Sequence, residues 1–280
     1  MTYQYIDIHT HVNLAAFKDD WREVSNRAHD AGVAFINVGT QVDTAKRAVE
    51  MAHGYVEGVY AVVGLHPVHT AKSYHDAQEF TDMEKGFTSR GEVFDRAAYL
   101  EMAHDPKVVA IGECGLDYFR VEGDTKALQE KAFIEQIELA NEVGKPLMLH
   151  IRSGKDHNAY KDAYEILKTH AKVRGNVHFF AGTYEDAKPF WEMGYSTSFT
   201  GVITFARDYD EVIKAAPLEM LHVETDAPYV APLPYRGKRN EPVYVIEMVR
   251  KLAEIRGEDE EGVRTQLLLN ARSIFGIGGQ

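Results

Sequence analysis

Short runs rich in β-branched residues alternate with longer segments of helical period, and this alternation constrains the fold more than any other feature. Eight such runs can be counted. They span 5–11, 34–39, 59–66, 108–118, 146–152, 176–182, 195–201 and 220–229. Eight strand-then-helix units predict an α/β protein built as a single (β/α)₈ TIM barrel. A doubly wound open sheet is the competing fold.

The chain shows no sign of division into domains. Its 280 residues contain no internal repeat, low-complexity tract or Pro/Gly/Ser-rich linker, so we expect one domain over 1–280. One connection, at about 68–91 after the third predicted strand, is longer than a barrel helix needs. Because barrel active sites lie at the C-terminal ends of the strands, we expect this excursion to cover the site.

Composition indicates an acidic protein with no membrane association. No run of about 18 apolar residues is present, and no basic start precedes an apolar stretch, so we expect a cytoplasmic protein. Cys114 is the single cysteine, which excludes an internal disulfide. The formal charge of −12 argues against coating of long nucleic-acid tracts. A polyanion must then bind at a local positive site, for example at bound cations. No oligomeric state follows from these features.

The opening run YIDIHTH places Asp7, His9 and His11 at intervals of two residues. In an extended strand such side chains point to one face. Two neighbouring histidines on one face are typical of metal ligands, although a polar, solvated strand face would show the same alternation.

Strong donor residues recur at the predicted ends of other strands. A charged side chain inside a strand needs compensation, and a metal centre supplies it. The six donors are His9, His11, Glu113, His150, His178 and Asp226. Six nitrogen and oxygen ligands exceed one structural zinc site, and a cysteine cluster is absent.

We therefore expect two divalent ions per chain, with Glu113 bridging them. The donors of the first and eighth strands bind one ion, and the histidines of the fifth and sixth strands bind the other. Two such ions can activate water and hold the oxyanion of a phosphoryl or acyl group. The four imidazoles suit zinc or manganese.

The motifs DIHTH, GLHP, IGECGLDY, LMLHIR, VHFFAG, VETDAPY and RNEP, in this order, resemble the TatD family of metal-dependent deoxyribonucleases. The resemblance runs from Tyr5 to Gly276. It implies a metallo-dependent hydrolase barrel, magnesium-dependent phosphodiester hydrolysis as a 3′ exonuclease, and metal positions at the six donors. Where the family has a small hydroxyl residue after HCF, this chain has Ala181, so a hydrogen bond from that hydroxyl is lost.

Five residues receive roles beyond ligation. Asp226 can accept the proton of the attacking water, and Glu113 is catalytic through its bridging position. His66 can donate to a substrate oxygen, and Arg152 can grip a phosphate. Arg239, in the compact basic cluster after the last strand, is the third candidate for substrate binding. A solvated loop would also explain that cluster.

Two further carboxylates each precede a donor by two residues. Asp7 could orient a ligand imidazole or cap the barrel, and the same two roles are open to Glu224.

The leading function is hydrolysis of DNA at single-stranded ends in the 3′ to 5′ direction. The alternative is a metal-dependent deacylase or amidohydrolase acting on an ester or amide, such as an aminoacyl-tRNA or a small molecule, because bridged metals also polarise carbonyls. Basic residues at the mouth favour phosphate. The physiological substrate does not follow from the sequence.

Overall fold

The computed structural model describes residues 3–72, 91–119 and 125–277, with the backbone of two short strands at 74–75 and 87–88. Within these residues, eight parallel strands lie in chain order around one sheet. They are β1 (Tyr5–Thr10), β2 (Val33–Val38), β3 (Val59–Val63), β4 (Val108–Asp117), β5 (Leu147–Arg152), β6 (Gly175–His178), β7 (Ser196–Phe199) and β8 (Leu221–Val223). The predicted TIM barrel is confirmed.

Helices follow the strands and pack on the outside of the sheet. They are α1 (Trp21–Asp30), α2 (Val42–His53), α3 (Arg96–Ala103), α4 (Lys126–Val143), α5 (Ala159–His170), α6 (Tyr184–Glu192), α7 (Asp210–Ala215), α8 (Val245–Arg256) and α9 (Glu260–Phe275). Side-chain caps begin several of them; Thr183, for example, accepts from the N–H of Asp186. Gly144, with φ of 66°, ends α4 in the left-handed conformation that glycine adopts readily.

The barrel interior has an apolar side and a polar side. Ile8, Ile36 and Val62, from the first three strands, belong to a buried apolar cluster with Phe275 of the last helix. The inward positions of β6 and β7 carry hydrogen-bonded Asn176 and the serines 196 and 198 instead. This polar side leads toward the C-terminal ends of the strands, where the predicted donors lie.

The eighth strand is shorter than the predicted run 220–229. It ends at Val223, and the chain turns sharply at Asp226, whose φ is 53°. Backbone contacts continue past the strand: the N–H of Asp226 donates to the carbonyl of His9 at 2.9 Å, and the N–H of His11 donates to Ala227 at 2.8 Å. These bonds join the first and last strands at the end that carries the donors.

The excursion at 68–91 lies largely outside the described residues. Its backbone at 74–75 pairs antiparallel with that at 87–88. That it covers the site stays a prediction. Across the part of the chain that the structure describes, no helix combines the length and apolarity needed to cross a membrane.

Candidate metal centre

A β-bulge aims Glu113 into the barrel. Gly112 pairs with Met148 and Cys114 pairs with Leu149, so Glu113 is the extra residue of β4. The glycines beside it allow the strands to approach closely, since a Cβ at Gly115 would lie 2.1 Å from the carbonyl oxygen of His150. Glu113 is 2% exposed, which leaves its carboxylate between the histidines of several strands.

The first donor group gathers around one oxygen of that carboxylate. Nε2 of His9 lies 3.2 Å from Nε2 of His11 and 3.4 Å from Oε2 of Glu113. Nε2 of His11 lies 3.3 Å from Oδ1 of Asp226. The Nδ1 atom of His11 donates to the carbonyl of Val38 at 2.9 Å, so its Nε2 carries the lone pair toward the group. The structure therefore brings these four predicted donors together.

The second donor group surrounds the other oxygen. Oε1 of Glu113 lies 2.7 Å from Nε2 of His178 and 2.9 Å from Nδ1 of His150. These two ring nitrogens are 3.3 Å apart. His66 joins this group, with Nε2 3.3 Å from the same oxygen. Each oxygen of Glu113 thus faces its own set of imidazoles.

The spacing of these atoms fits bound metal. Tetrahedral sites with bonds of about 2.0–2.1 Å have ligand atoms about 3.3 Å apart, and the nitrogen–nitrogen distances of 3.2 Å and 3.3 Å match that value. In addition, the set is buried and mixes imidazole with carboxylate, the ligands that zinc, manganese and related cations accept. These buried histidine and glutamate clusters are consistent with a binuclear metal site.

Glu113 and His178 form the electrostatic centre of the cluster. Burial would raise the pKa of Glu113, but the charge of His178 and the hydrogen bond with His150 lower it well below its usual range. Burial would lower the pKa of His178, yet the carboxylates of Glu113 and Glu224 raise it well above its ordinary value. The protein places positive charge against Glu113, which is the compensation a bound cation would supply.

Two carboxylates fix the histidines of the second group from behind. Asp117, which the sequence analysis missed, has Oδ2 2.8 Å from Nε2 of His150. Glu224 has Oε1 3.4 Å from Nδ1 of His178 and also accepts from the hydroxyl of Ser198 at 2.8 Å. A signal for Asp117 was present, because a residue four positions after Glu113 in a strand shares its face. Such partners fix ring orientation and tautomer.

Asp7 has a different role from either one predicted. Its carboxylate accepts from the N–H of Thr225 at 2.9 Å and from the hydroxyl of that residue, and also from the N–H of His9 at 3.3 Å. It touches backbone rather than an imidazole ring. Asp7 therefore joins β1 to the turn after β8, immediately beside Asp226.

The three predicted substrate residues lie in different surroundings. His66 is inside the cluster, where the N–H of Val68 donates to its Nδ1 at 3.1 Å, so Nε2 carries the hydrogen. Arg152 is exposed at the end of β5. Arg239 is held by Asp20, with Nη1 2.9 Å from Oδ1, and donates to the carbonyl of Ala16 at 2.8 Å. These contacts hold the guanidinium of Arg239 in place, and its binding of substrate stays a prediction.

Comparison with known proteins assigns the chain to a family. The model of the family described as TatD related DNase matches residues 6–276. An uncharacterized metal-dependent hydrolase, YabD of Bacillus subtilis, is 36% identical, with 97% of this chain and 98% of that protein covered. The 3′-5′ ssDNA/RNA exonuclease TatD of Klebsiella pneumoniae is 32% identical over 97% of each chain.

A solved structure agrees with the sequence relatives. The crystal structure of a TatD homologue from Escherichia coli, YjjV, superimposes with a TM-score of 0.78 at 29% identity, and the match covers 99% of this chain and 100% of that one. The chain therefore belongs to the TatD-related DNase family of metal-dependent hydrolases.

Proposed function

We propose that this protein hydrolyses phosphodiester bonds at the 3′ ends of single-stranded DNA, with two divalent cations (Mg²⁺, Mn²⁺ or Zn²⁺) held by the six donors. One observation carries the proposal: the two oxygens of Glu113 face two separate sets of donors, at 2.7 Å and 3.4 Å from the nearest nitrogen of each. A bridging carboxylate is what a two-metal phosphodiesterase requires. The names of several relatives as single-strand exonucleases support the same assignment.

When bound, such cations would activate water and stabilise charge on the phosphoryl oxygens. Asp226 supplies the base: burial would raise its pKa, but its interaction with the neighbouring His11 lowers it, so the carboxylate is ionised and can accept a proton. The oxygen of water bonds to phosphorus, the bond from phosphorus to the 3′ oxygen of the preceding nucleotide breaks, and that oxygen takes a proton. Terminal mononucleotides are released.

His66 can contribute a hydrogen bond to substrate. Burial lowers the pKa of His66 to about 4, so the ring is neutral at neutral pH. Because its Nδ1 accepts from the backbone, the hydrogen on Nε2 points into the donor cluster. A neutral ring at this position can donate that hydrogen to a phosphate oxygen.

Charge favours chain ends over long duplex substrates. The protein carries a formal charge of −12, and in its small basic cluster the charge of Arg239 is paired with that of Asp20. Little counterion release is then available from a long tract of nucleic acid. A strand terminus that reaches the recessed centre needs few phosphate contacts. We therefore expect the logarithm of the binding constant to fall with the logarithm of the salt concentration as for about two or three phosphates, at about −0.7 for each phosphate in single strands.

The test compares an end-labelled linear single strand with a closed circular single strand of the same sequence, with divalent cation supplied. We expect mononucleotides from the linear strand, an intact circle, and the shallow salt slope. The variant Glu113→Gln serves as the control for contaminating nucleases. Efficient cutting of the circle contradicts an enzyme acting on ends. Inertness toward both substrates, with hydrolysis of esters or amides, assigns the deacylase alternative instead.

A further inference from the structure

Two phenylalanine rings are exposed beyond the C-terminal ends of the strands, and each lies under an arginine. Phe119 follows β4 and is 46% exposed, and Phe205 follows β7 and is 38% exposed. The guanidinium carbon of Arg152 lies 3.9 Å from the centre of the Phe119 ring, and that of Arg236 lies 3.9 Å from the Phe205 ring. Every other phenylalanine whose burial the structure describes is buried or half-buried. Both exceptions are in loops at the mouth of the barrel.

Both guanidinium groups are available to an anion. Within the described ranges, the guanidinium groups of Arg152 and Arg236 have no carboxylate partner and no hydrogen-bond acceptor. Arg239, three residues after Arg236, is by contrast paired with Asp20. The chain has 43 acidic residues, yet none of those that the structure describes forms an ion pair with these two guanidinium groups. A guanidinium stacked on a ring keeps its in-plane N–H groups free to bind phosphate.

The first pair is linked directly to the donor cluster. The N–H of Phe119 donates to Oδ1 of Asp117 at 2.9 Å, and the other oxygen of Asp117 holds His150. A nucleotide on Phe119 would therefore be separated from His150 of the second donor group by one residue, Asp117, which contacts both. This short connection places the ring beside the path to the centre.

The second pair borders the same opening from another side. The N–H of Leu233 donates to the hydroxyl of Thr204 at 2.9 Å, which ties the turn before Phe205 to the loop that follows Asp226. Burial and Asp208 raise the pKa of Tyr209, and the charge of Arg152 opposes that rise. Arg152 is therefore near enough to Tyr209, four residues after Phe205, to affect its charge. Strand β6 lies between the strand that ends at Arg152 and the strand that precedes Phe205.

We propose, resting on the proposed function, that these two arginine–phenylalanine pairs are nucleotide subsites that bind single-stranded nucleic acid beside the metal centre. At each pair a base stacks on the ring and guanidinium, and the guanidinium binds the adjoining phosphate. Every base has a π face, so the subsites accept any sequence. Paired bases in a duplex are stacked on one another and are not available, so the pairs select unpaired strands.

The test measures kcat and KM on two substrates with Mn²⁺ supplied: a short oligothymidylate, and bis(4-nitrophenyl) phosphate, which has one phosphodiester and no base. Phe119→Ala and Phe205→Ala should each raise KM for the oligonucleotide about five-fold or more, with a much smaller effect on the small substrate. Phe119→Trp should restore the oligonucleotide KM, and Phe119→Leu should not. Leu269→Ala, at an exposed apolar residue of α9, is the matched control.

A binding readout separates stacking from turnover. An oligonucleotide with 2-aminopurine near its 3′ end, mixed with the protein and Ca²⁺, should lose fluorescence on binding, and Phe119→Ala should reduce that loss. Unchanged KM and fluorescence in both alanine variants, or equal losses on both substrates, would overturn the subsites. If the unaltered protein hydrolyses bis(4-nitrophenyl) phosphate but neither binds nor cleaves the oligonucleotide, the nucleic-acid function fails and the subsites fail with it.

Discussion

Asp117 accepts a hydrogen bond from Nε2 of His150 at 2.8 Å, and this contact decides which ring nitrogen faces Glu113. With Nε2 committed to Asp117, His150 presents Nδ1 to the cluster, whereas His9, His11 and His178 present Nε2. Burial would lower the pKa of His150, but the hydrogen bonds with Asp117 and Glu113 raise it. The orientation of this ring therefore depends on a carboxylate outside the donor set.

Replacing Asp117 by alanine should weaken metal binding at the second donor group. The ring of His150 loses the partner that orients it, and losses of this kind are about 10-fold to 100-fold in affinity. Competition with a chelating dye measures the affinity. Asp162→Ala is the matched control, because that carboxylate pairs with Lys126 on the surface. Equal affinities in the two variants would show that Asp117 does not orient the ring.

The substitution Glu113→Gln should lower the number of metal ions bound per chain more than the loss of any single histidine does. Glu113 presents one oxygen to each donor group, on different sides of its carboxylate. We expect Glu113→Gln to be inactive and to retain less than one metal per chain, while His150→Ala retains about one. Elemental analysis of the purified variants decides the matter. Two metals in Glu113→Gln, together with none in His150→Ala, would refute the bridging assignment.

Arg239 should matter for stability and Arg152 for substrate. The hydrogen bonds from Arg239 to Asp20 lower the pKa of the Asp20 carboxyl. This pair therefore stabilises the fold at pH values above the pKa of Asp20 in the unfolded chain, and the stabilisation is lost as the pH falls through the pKa of Asp20 in the folded protein. Arg239→Ala should lower the free energy of unfolding at neutral pH by at most about 1 kcal/mol, since the pair is partly exposed. Urea unfolding measures this difference.

The oligonucleotide KM of the same two variants provides the contrast. Arg239→Ala should leave it unchanged, and Arg152→Ala should raise it. A larger rise in Arg239→Ala than in Arg152→Ala would show that Arg239 binds substrate.

His222 should make the fold sensitive to acid. It is 1% exposed, and burial lowers its pKa to about 3, far below the ordinary value of 6.5. A group with a lowered folded pKa contributes stability above its unfolded pKa and loses it as the pH falls. As the pH falls from about 7 to about 5, this residue alone should lower the free energy of unfolding by about 2 kcal/mol.

The variant His222→Leu isolates that contribution. Neither ring nitrogen of His222 has a hydrogen-bond partner among the described residues, so an apolar side chain can replace it. Urea unfolding at both pH values should show the variant gaining relative to the unaltered protein at the lower pH. Parallel pH dependence in the two proteins would contradict a buried, neutral imidazole.

The barrel and the donor clusters were predictable because both depend on local pattern. Strand runs in the sequence alternate with helices, and the donors His9 and His178 lie at or near strand ends, where a parallel barrel brings side chains together. Glu113 lies inside β4, at the bulge. The bulge at Glu113 did not disturb the prediction, because Gly112 and Cys114 on either side of it still pair with consecutive residues of β5. Periodicity was sufficient for these features.

The surroundings of the charged residues were not predictable in the same way. Arg239 meets Asp20, a partner 219 positions away that no local pattern connects to it. Asp7 meets the backbone of Thr225, 218 positions away, instead of an imidazole. Such pairings depend on which loops the closed barrel brings together, so they follow from tertiary structure alone.

The bonds that join the first and last strands have a consequence for synthesis of the protein. Asp7 holds Thr225, and His9 accepts from Asp226, so closure of the barrel and completion of the donor set depend on the same turn. A nascent chain that has left the ribosome only as far as β6 carries five of the six donors without this closure. Metal capture is thereby coupled to the arrival of β8, and a truncated translation product should lack the assembled site.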